Sequence, residues 1–161
     1  MERATMLVRA ASAQDIAACV SLIEARRIRY ARFEPRFWKK ADNSAELSTR
    51  WFAHLFSQPD VAALVAVERQ AVVGFIVGMN FPPPPVVDLK GKNAVIDDFA
   101  VESDERWPDV GPHLLKACGE RLAELGYTQI VVVGADKDAA KTAFLESADL
   151  SLASTWWTAE I

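Results

Sequence analysis

Apolar residues recur at Ile16, Cys19, Val20, Ile23 and Ile28, a helical spacing that predicts an amphipathic helix. Its start is marked by Ser12-Ala13-Gln14-Asp15, a relative of the capping box with a hydroxyl at the cap and a carboxylate in the first turn. A short strand at residues 6–9 precedes it, and Pro35 interrupts the pattern. A second helix starts near Ser44, with Leu47, Trp51, Phe52, Leu55 and Phe56 on its apolar face, and stops at Pro59 and Asp60. Residues 62–68 and 72–80 read as strands joined by a tight turn at Arg69-Gln70-Ala71. The four prolines from Pro82 to Pro85 have no N–H to give a ladder and predict a stiff loop. A strand at 94–101 follows, then a helix at 111–125 with Leu114, Leu115, Cys118, Leu122 and Leu125 inward and Gly126 as its C-cap. The apolar run 129–133 reads as a strand buried on both faces. Asp138 caps a last helix reaching about residue 148, and an extended, Trp-rich segment at 152–161 closes the chain as a final strand.

An antiparallel run of strands before a β-α-β unit predicts an α/β fold, an α+β mixed sheet with helices on both faces. The length of 161 residues suits a single domain, 1–161, and no linker or repeat divides it. With 51% apolar residues, five Trp and eight Phe, a core forms without disulfides or a structural metal. The net charge of −4 lacks the footprint of a nucleic-acid binder, and the cluster Arg26, Arg27, Arg29, Arg32 and Arg36 is interrupted by Glu24 and Glu34. Cys19 and Cys118 sit among apolar helical neighbours, which suits buried thiols in a reducing compartment, and no metal-ligand spacing occurs. Neither a leader-like apolar stretch nor a run of ~20 apolar residues is present, so the expectation is a cytoplasmic protein with no membrane contact.

Three strings point to chemistry. Ile96-Asp97-Asp98-Phe99-Ala100-Val101 places two carboxylates inside an apolar strand. Arg106-Trp107-Pro108-Asp109-Val110-Gly111 follows, then His113-Leu114-Leu115, and Asp138 leads on to Phe144, Leu145 and Leu150. A loop feeding a helix there would aim free amides and the helix dipole at one anion. In these strings and in element order the chain resembles the GNAT superfamily of acyl-CoA-dependent N-acetyltransferases. The likeness covers nearly the whole chain and is weakest from about residue 28 to 45.

The resemblance implies a mostly antiparallel central sheet and acetyl-CoA as co-substrate. Backbone groups of Phe99 and Val101 would bond the pantetheine arm, while Arg106, Trp107, Asp109, Val110, Gly111 and His113 would surround the diphosphate, with Asp138 in the same site. It implies direct acetyl transfer to a primary amine of a small molecule or peptide in a ternary complex, strand-four amides polarising the thioester carbonyl. No metal is implied, and a homodimer is. Three positions depart from the pattern. Asp109 stands where the family has its first glycine, a good N-cap for its own amides and a competitor of phosphate. Pro112 lacks an N–H in the first turn, and Leu145 stands where many members carry a tyrosine that protonates the departing thiolate.

Acetyl transfer requires a neutral amine, so a group must take its proton. Asp97 and Asp98, neighbours on a strand and hence on opposite faces, are the catalytic candidates. The likeness to diamine acetyltransferases favours Asp97, and both as merely solvated or capping residues is the alternative. Glu102 is a weaker candidate. His54 reads as a packed or surface histidine, and His113 as either a phosphate contact or an exposed residue. Trp156 and Trp157 would face opposite ways on the last strand, one of them toward a partner subunit. By the resemblance, the tetraproline loop and the Arg-rich end of the first helix would border the acceptor cleft, where Glu34, Arg36 and Trp38 would read the acceptor. A dinucleotide-binding turn at residues 130–136 fails for want of two glycines and of a following β-α-β unit. A second reading keeps the fold and drops the activity, leaving a module that binds a ligand or a partner.

Overall fold

The computed structural model describes residues 5–161; expectations resting on residues 1–4, the start of the domain and the leader-free amino terminus, lie outside the described residues. The strands are β1 (Leu7–Ala10), β2 (Ala62–Glu68), β3 (Ala71–Asn80), β4 (Lys92–Val101) and β5 (Tyr127–Val132). They lie side by side in chain order, antiparallel except for the parallel pair β4–β5. The helices are α1 (Ile16–Phe33), α2 (Ser44–Phe56), α3 (Trp107–Glu124) and α4 (Ala139–Ser147). α1 and α2 cover one face, packing Cys19, Ile23, Phe52 and Leu55 on Val65, Phe75 and Val77. α3 and α4 cover the other with Trp107, Val110, Leu114 and Phe144 on Ile76, Ile96 and Phe99. Helices on both faces of a mixed sheet are what the element order predicts.

Local chemistry fixes the ends. Asp15 Oδ2 accepts from the Ser12 amide at 2.8 Å, and Arg9 grips the same carboxylate at 2.7 and 2.9 Å, tying β1 to the start of α1. The Arg9 guanidinium holds the Asp15 carboxyl below its usual range against the opposing effect of burial. The β2–β3 turn is tighter than expected: Arg69 and Gln70 both take positive φ, 47° and 70°, the combination of a two-residue type I′ hairpin. Gly126 leaves α3 at φ 85°, in the left-handed region open to glycine.

Five expectations are corrected. α3 begins at Trp107, four residues before Gly111, because a 3₁₀ turn at Asp104–Arg106 runs straight into it and Pro108 suits a first turn. Ile28 is exposed; the inward stripe of α1 runs Cys19, Ile23, Arg26 and Tyr30. On α2 the buried positions include Ser44 and Ser48, while Leu47 and Trp51 face out. No strand forms at 152–161: the order ends at β5, whose Thr128 and Gln129 are exposed as on an edge strand rather than buried on both faces. Trp156 and Trp157 are both exposed, Trp156 lying 6.3 Å from the Phe37 ring. Among the described residues no helix is long and apolar enough to cross a membrane.

Candidate functional site

The paired carboxylates sit on a β-bulge. In the β3–β4 ladder Ile76 faces Phe99 and Gly78 faces Ile96, so Asp97 and Asp98 together oppose the single residue Val77. The extra residue breaks strict alternation: Ile96 and Phe99, three apart, both enter the core under α3 and α4. Asp97 and Asp98 therefore line one cavity instead of being divided cleanly between the faces. The Asp97 side chain is 52% exposed, with Arg26 donating to its carbonyl oxygen at 2.5 Å and to Oδ1 at 3.3 Å. Asp98 is half-buried, and burial pushes its carboxyl above the usual range; Arg26 and Arg27 oppose the rise and the Asp97 charge adds to it.

Beyond the bulge β4 and β5 part. Their pairing ends at Ile96 beside Val132, with a last bond from the Val133 amide to the Ile96 carbonyl at 2.9 Å. Glu102 turns its amide toward β3, donating to the Val73 carbonyl at 2.9 Å. By strand alternation Phe99 and Val101 turn their backbone groups the other way, into the fork. Lys141 fills the root of that fork. Although fully buried, its ammonium donates to the Val133 carbonyl at 2.8 Å and the Phe99 carbonyl at 3.3 Å, over the Phe99 and Trp107 rings. Burial, with Arg26 adding to it, lowers its pKa to about 7, and the charges of Asp97, Asp138 and Asp98 oppose the shift.

A cavity of about 290 Å³ opens beside the fork, between α1 and the start of α3. Its charged lining is acidic: Glu102, Asp104, Glu105 and Asp138 against Arg26 and Arg29. Arg106 is committed, donating to Glu68 at 2.7 Å, Glu102 at 2.6 Å and Asp109 at 3.2 Å. Asp109 thus holds Arg106 and does not take the N-cap position, which Arg106 occupies without a side-chain acceptor to offer. Trp107 and Val110 belong to the core. Gly111 is a packing glycine, since a Cβ there would stand 2.9 Å from the Phe144 ring. His113 is exposed on the second turn of α3. Asp138 caps α4 by accepting from the Lys141 amide at 3.3 Å and also takes bonds from Tyr30 at 2.7 Å and Arg29 at 3.2 Å, locking α4 to α1.

A second cavity of about 210 Å³ lies on the other side of Arg26, lined by Asp97, Asp98, Arg27, Lys39, Lys40 and the aromatic rings of Tyr30, Phe37 and Trp38. Arg26 is the shared wall: it lines both spaces and is 8% exposed. The sequence puts Trp38 and the Arg-rich end of the first helix near the acceptor, but reads Arg26 as part of a solvated face and gives Lys141 no role. The available signal was a cation inside an apolar stripe, Arg26 between Ile23 and Tyr30 and Lys141 three residues before Phe144. His54 lies outside both cavities, stacked on Trp51. Glu34 accepts from the Arg36 amide and likewise lies outside. Cys19 and Cys118 are buried thiols pushed up to about 12, too basic to act as thiolates near neutral pH. Among the described residues no three His, Cys, Asp or Glu groups are placed to hold a metal.

The model of the acetyltransferase (GNAT) family matches residues 15–148. Among solved structures, a single-site mutant of the BH1408 protein from Bacillus halodurans superposes with a TM-score of 0.81 at 16% identity, over 96% of this chain and 99% of that one. A predicted acetyltransferase with acetyl-CoA from Clostridium acetobutylicum gives 0.70 at 19% identity, over 97% and 96%. An aminoglycoside N-acetyltransferase in complex with CoA gives 0.71 at 10% identity, over 99% and 97%. No curated protein matches the sequence.

Proposed function

Because the chain belongs to the acetyltransferase (GNAT) family, we propose that it moves an acetyl group from acetyl-CoA to a primary amine by direct attack. The observation that carries this reading is the fork with a bulge at its root. Outward-turned backbone groups of Phe99 and Val101 run past the bulge that presents Asp97 and Asp98. The residues present fit the co-substrate's extended arm, for which the parted strand offers ladder-like bonds, although the Phe99 carbonyl is shared with Lys141. They fit its diphosphate less well. The Trp107 amide that opens α3 already donates to the Asp104 carbonyl, Pro108 has none to give, and four carboxylates line the cavity below.

Asp98 takes a proton from the acceptor ammonium; its raised pKa suits it to that role better than an ordinary surface carboxylate. Asp97, held by Arg26, fixes the bulge and adds negative charge toward the amine. The neutral nitrogen bonds to the acetyl carbon, the carbon–sulfur bond breaks, and CoA departs as a thiolate that water protonates. Leu145 has no proton to give, and a leaving group of pKa ~8.5 departs without a dedicated donor. The raised pKa of both cysteines supports transfer without a covalent acyl-enzyme. The family match over residues 15–148 supports one catalytic domain, and the exposed Trp156 and Trp157 support a homodimer. The acidic rim and the Lys141 plug favour a second reading, a domain of this fold that transfers slowly or only binds.

Calorimetric titration with acetyl-CoA, alongside an Asp109→Gly variant, separates them. Micromolar binding by the native chain followed by thiol release with an amine supports the transferase. Binding by the variant alone supports the second reading, and binding by neither overturns the assignment of the fork.

A further inference from the structure

The second cavity selects its occupant by charge. Four cations, Arg26, Arg27, Lys39 and Lys40, face two carboxylates. Glu24, just outside, satisfies Arg27 at 3.0 Å and Lys40 at 3.0 Å. The other two are differently placed. Both terminal nitrogens of Arg26 are spent on Asp97, and its Nε–H is buried with no acceptor in the protein. A buried guanidinium donor without a partner is costly unless something else supplies the acceptor. Lys39 is exposed at the rim and forms none of the ion pairs found among the described residues. The opposite wall is aromatic, with Trp38 edge-on to Tyr30 at 5.0 Å and to Phe37 at 4.7 Å.

We propose that this cavity takes an acceptor bearing a carboxylate beside its primary amine, a free α-amino acid with an aromatic or large apolar side chain, and rejects polycationic amines. The proposal rests on the acetyl-transfer reading for its chemistry but not for its binding. The ammonium meets Asp97 and Asp98, the carboxylate meets the Arg26 Nε–H with Lys39 drawing it in, and the side chain lies on Tyr30, Phe37 and Trp38. A volume of about 210 Å³ falls below the range typical of drug-sized ligands, which suits a small acceptor. A polyamine or aminoglycoside would bring added positive charge against four cations. The transfer is balanced as amino acid plus acetyl-CoA giving N-acetyl amino acid plus CoA and a proton. The proton leaves the ammonium through Asp98, the nitrogen–carbon bond replaces the carbon–sulfur bond, and the electron pair of the broken bond goes to sulfur. The product keeps its carboxylate and loses the ammonium that Asp97 and Asp98 held, which favours release.

Two measurements on the full chain test this. In a thiol-release assay with acetyl-CoA, phenylalanine is expected to exceed 2-phenylethylamine, which lacks only the carboxylate, by about tenfold in kcat/KM, with spermidine inert. Lys39→Glu is expected to shrink that preference about two- to five-fold through KM. Equal or better turnover of 2-phenylethylamine or spermidine overturns the proposal. Direct titration of phenylalanine against 2-phenylethylamine without acetyl-CoA reads the cavity alone. Preferential binding of phenylalanine by a protein that fails to bind acetyl-CoA supports the cavity assignment and removes the acetyl-transfer reading. Acetyl-CoA binding with no preference for the amino acid does the reverse.

Discussion

The two cavities share one arginine and carry opposite charge. On the α3 side four carboxylates face two guanidinia; on the α2 side four cations face two carboxylates. Each balance is the inverse of what naive pairing would choose for a polyanionic co-substrate and an amine. The difference separates two ways of recognising charge. A phosphate can be held by backbone amides at a helix start, whatever side chains surround it, whereas a small acceptor has only side chains to select it. The acidic side is therefore expected to bind weakly and to be improvable. The basic side is expected to discriminate sharply.

The largest effect should come from removing the proton acceptor on the basic side. Asp98→Asn is expected to lower kcat/KM by about 10²- to 10⁴-fold with acetyl-CoA affinity retained, and Asp97→Asn by less. In the native chain kcat/KM should rise with pH through the elevated Asp98 pKa, because the base works only when ionised, and initial rates of the Asn variant should lack that limb. A loss confined to Asp97→Asn would exchange the two roles.

Lys141, buried at the root of the fork, sharpens the contrast through stability. Its folded pKa, about 7, is depressed below the ordinary 10.5, so the folded state binds fewer protons than the unfolded one across that window. Stability should climb as pH rises from about 7 toward 10.5, by up to about 1.4 kcal/mol per unit, and level off below 7, where both states hold the proton. Thermal unfolding of Lys141→Met should lack this slope. An unchanged slope would mean that the ammonium stays charged in the fork.

Smaller effects are expected on the acidic side. Asp109→Gly loosens Arg106 and removes one carboxylate, and should tighten acetyl-CoA by roughly tenfold at low salt, read by calorimetry. Far from both cavities, Gln70→Gly in the β2–β3 turn relieves a side chain held at φ 70° and should add about 0.5–1 kcal/mol to unfolding stability without changing turnover.

The fold was legible because apolar periodicity carries it. β2, β3, β4, α1 and α4 fall within a few residues of where spacing and caps put them, and the family likeness in Ile96 to Val101 agrees with the family match. The site was legible as a pair of carboxylates but not in its architecture. A bulge leaves no mark in a sequence, so alternation placed Asp97 and Asp98 on opposite faces. Gly111 looked like a loop glycine because a need for space and a need for positive φ look alike in the chain; its neighbour Phe144 is distant in sequence. Arg26 and Lys141 were missed because charge argues for the surface until a partner is known, and their partners are backbone carbonyls and a carboxylate brought together only by folding. At residues 152–161 tryptophan suggested a strand, but the segment pairs with neither free edge of the sheet, β1 or β5.

Arg26 has one more consequence, which concerns the order of events. A guanidinium forming the wall of two spaces cannot move for one occupant without changing the other. If filling the α3-side cavity changes affinity on the α2 side by some factor, thermodynamic reciprocity requires the reverse change by the same factor. Should occupancy of the fork draw Arg26 away from Asp97, the freed carboxylate would hold an ammonium more tightly, and the acceptor would add second. The two substrates would then be coupled by one side chain, with no domain closure required.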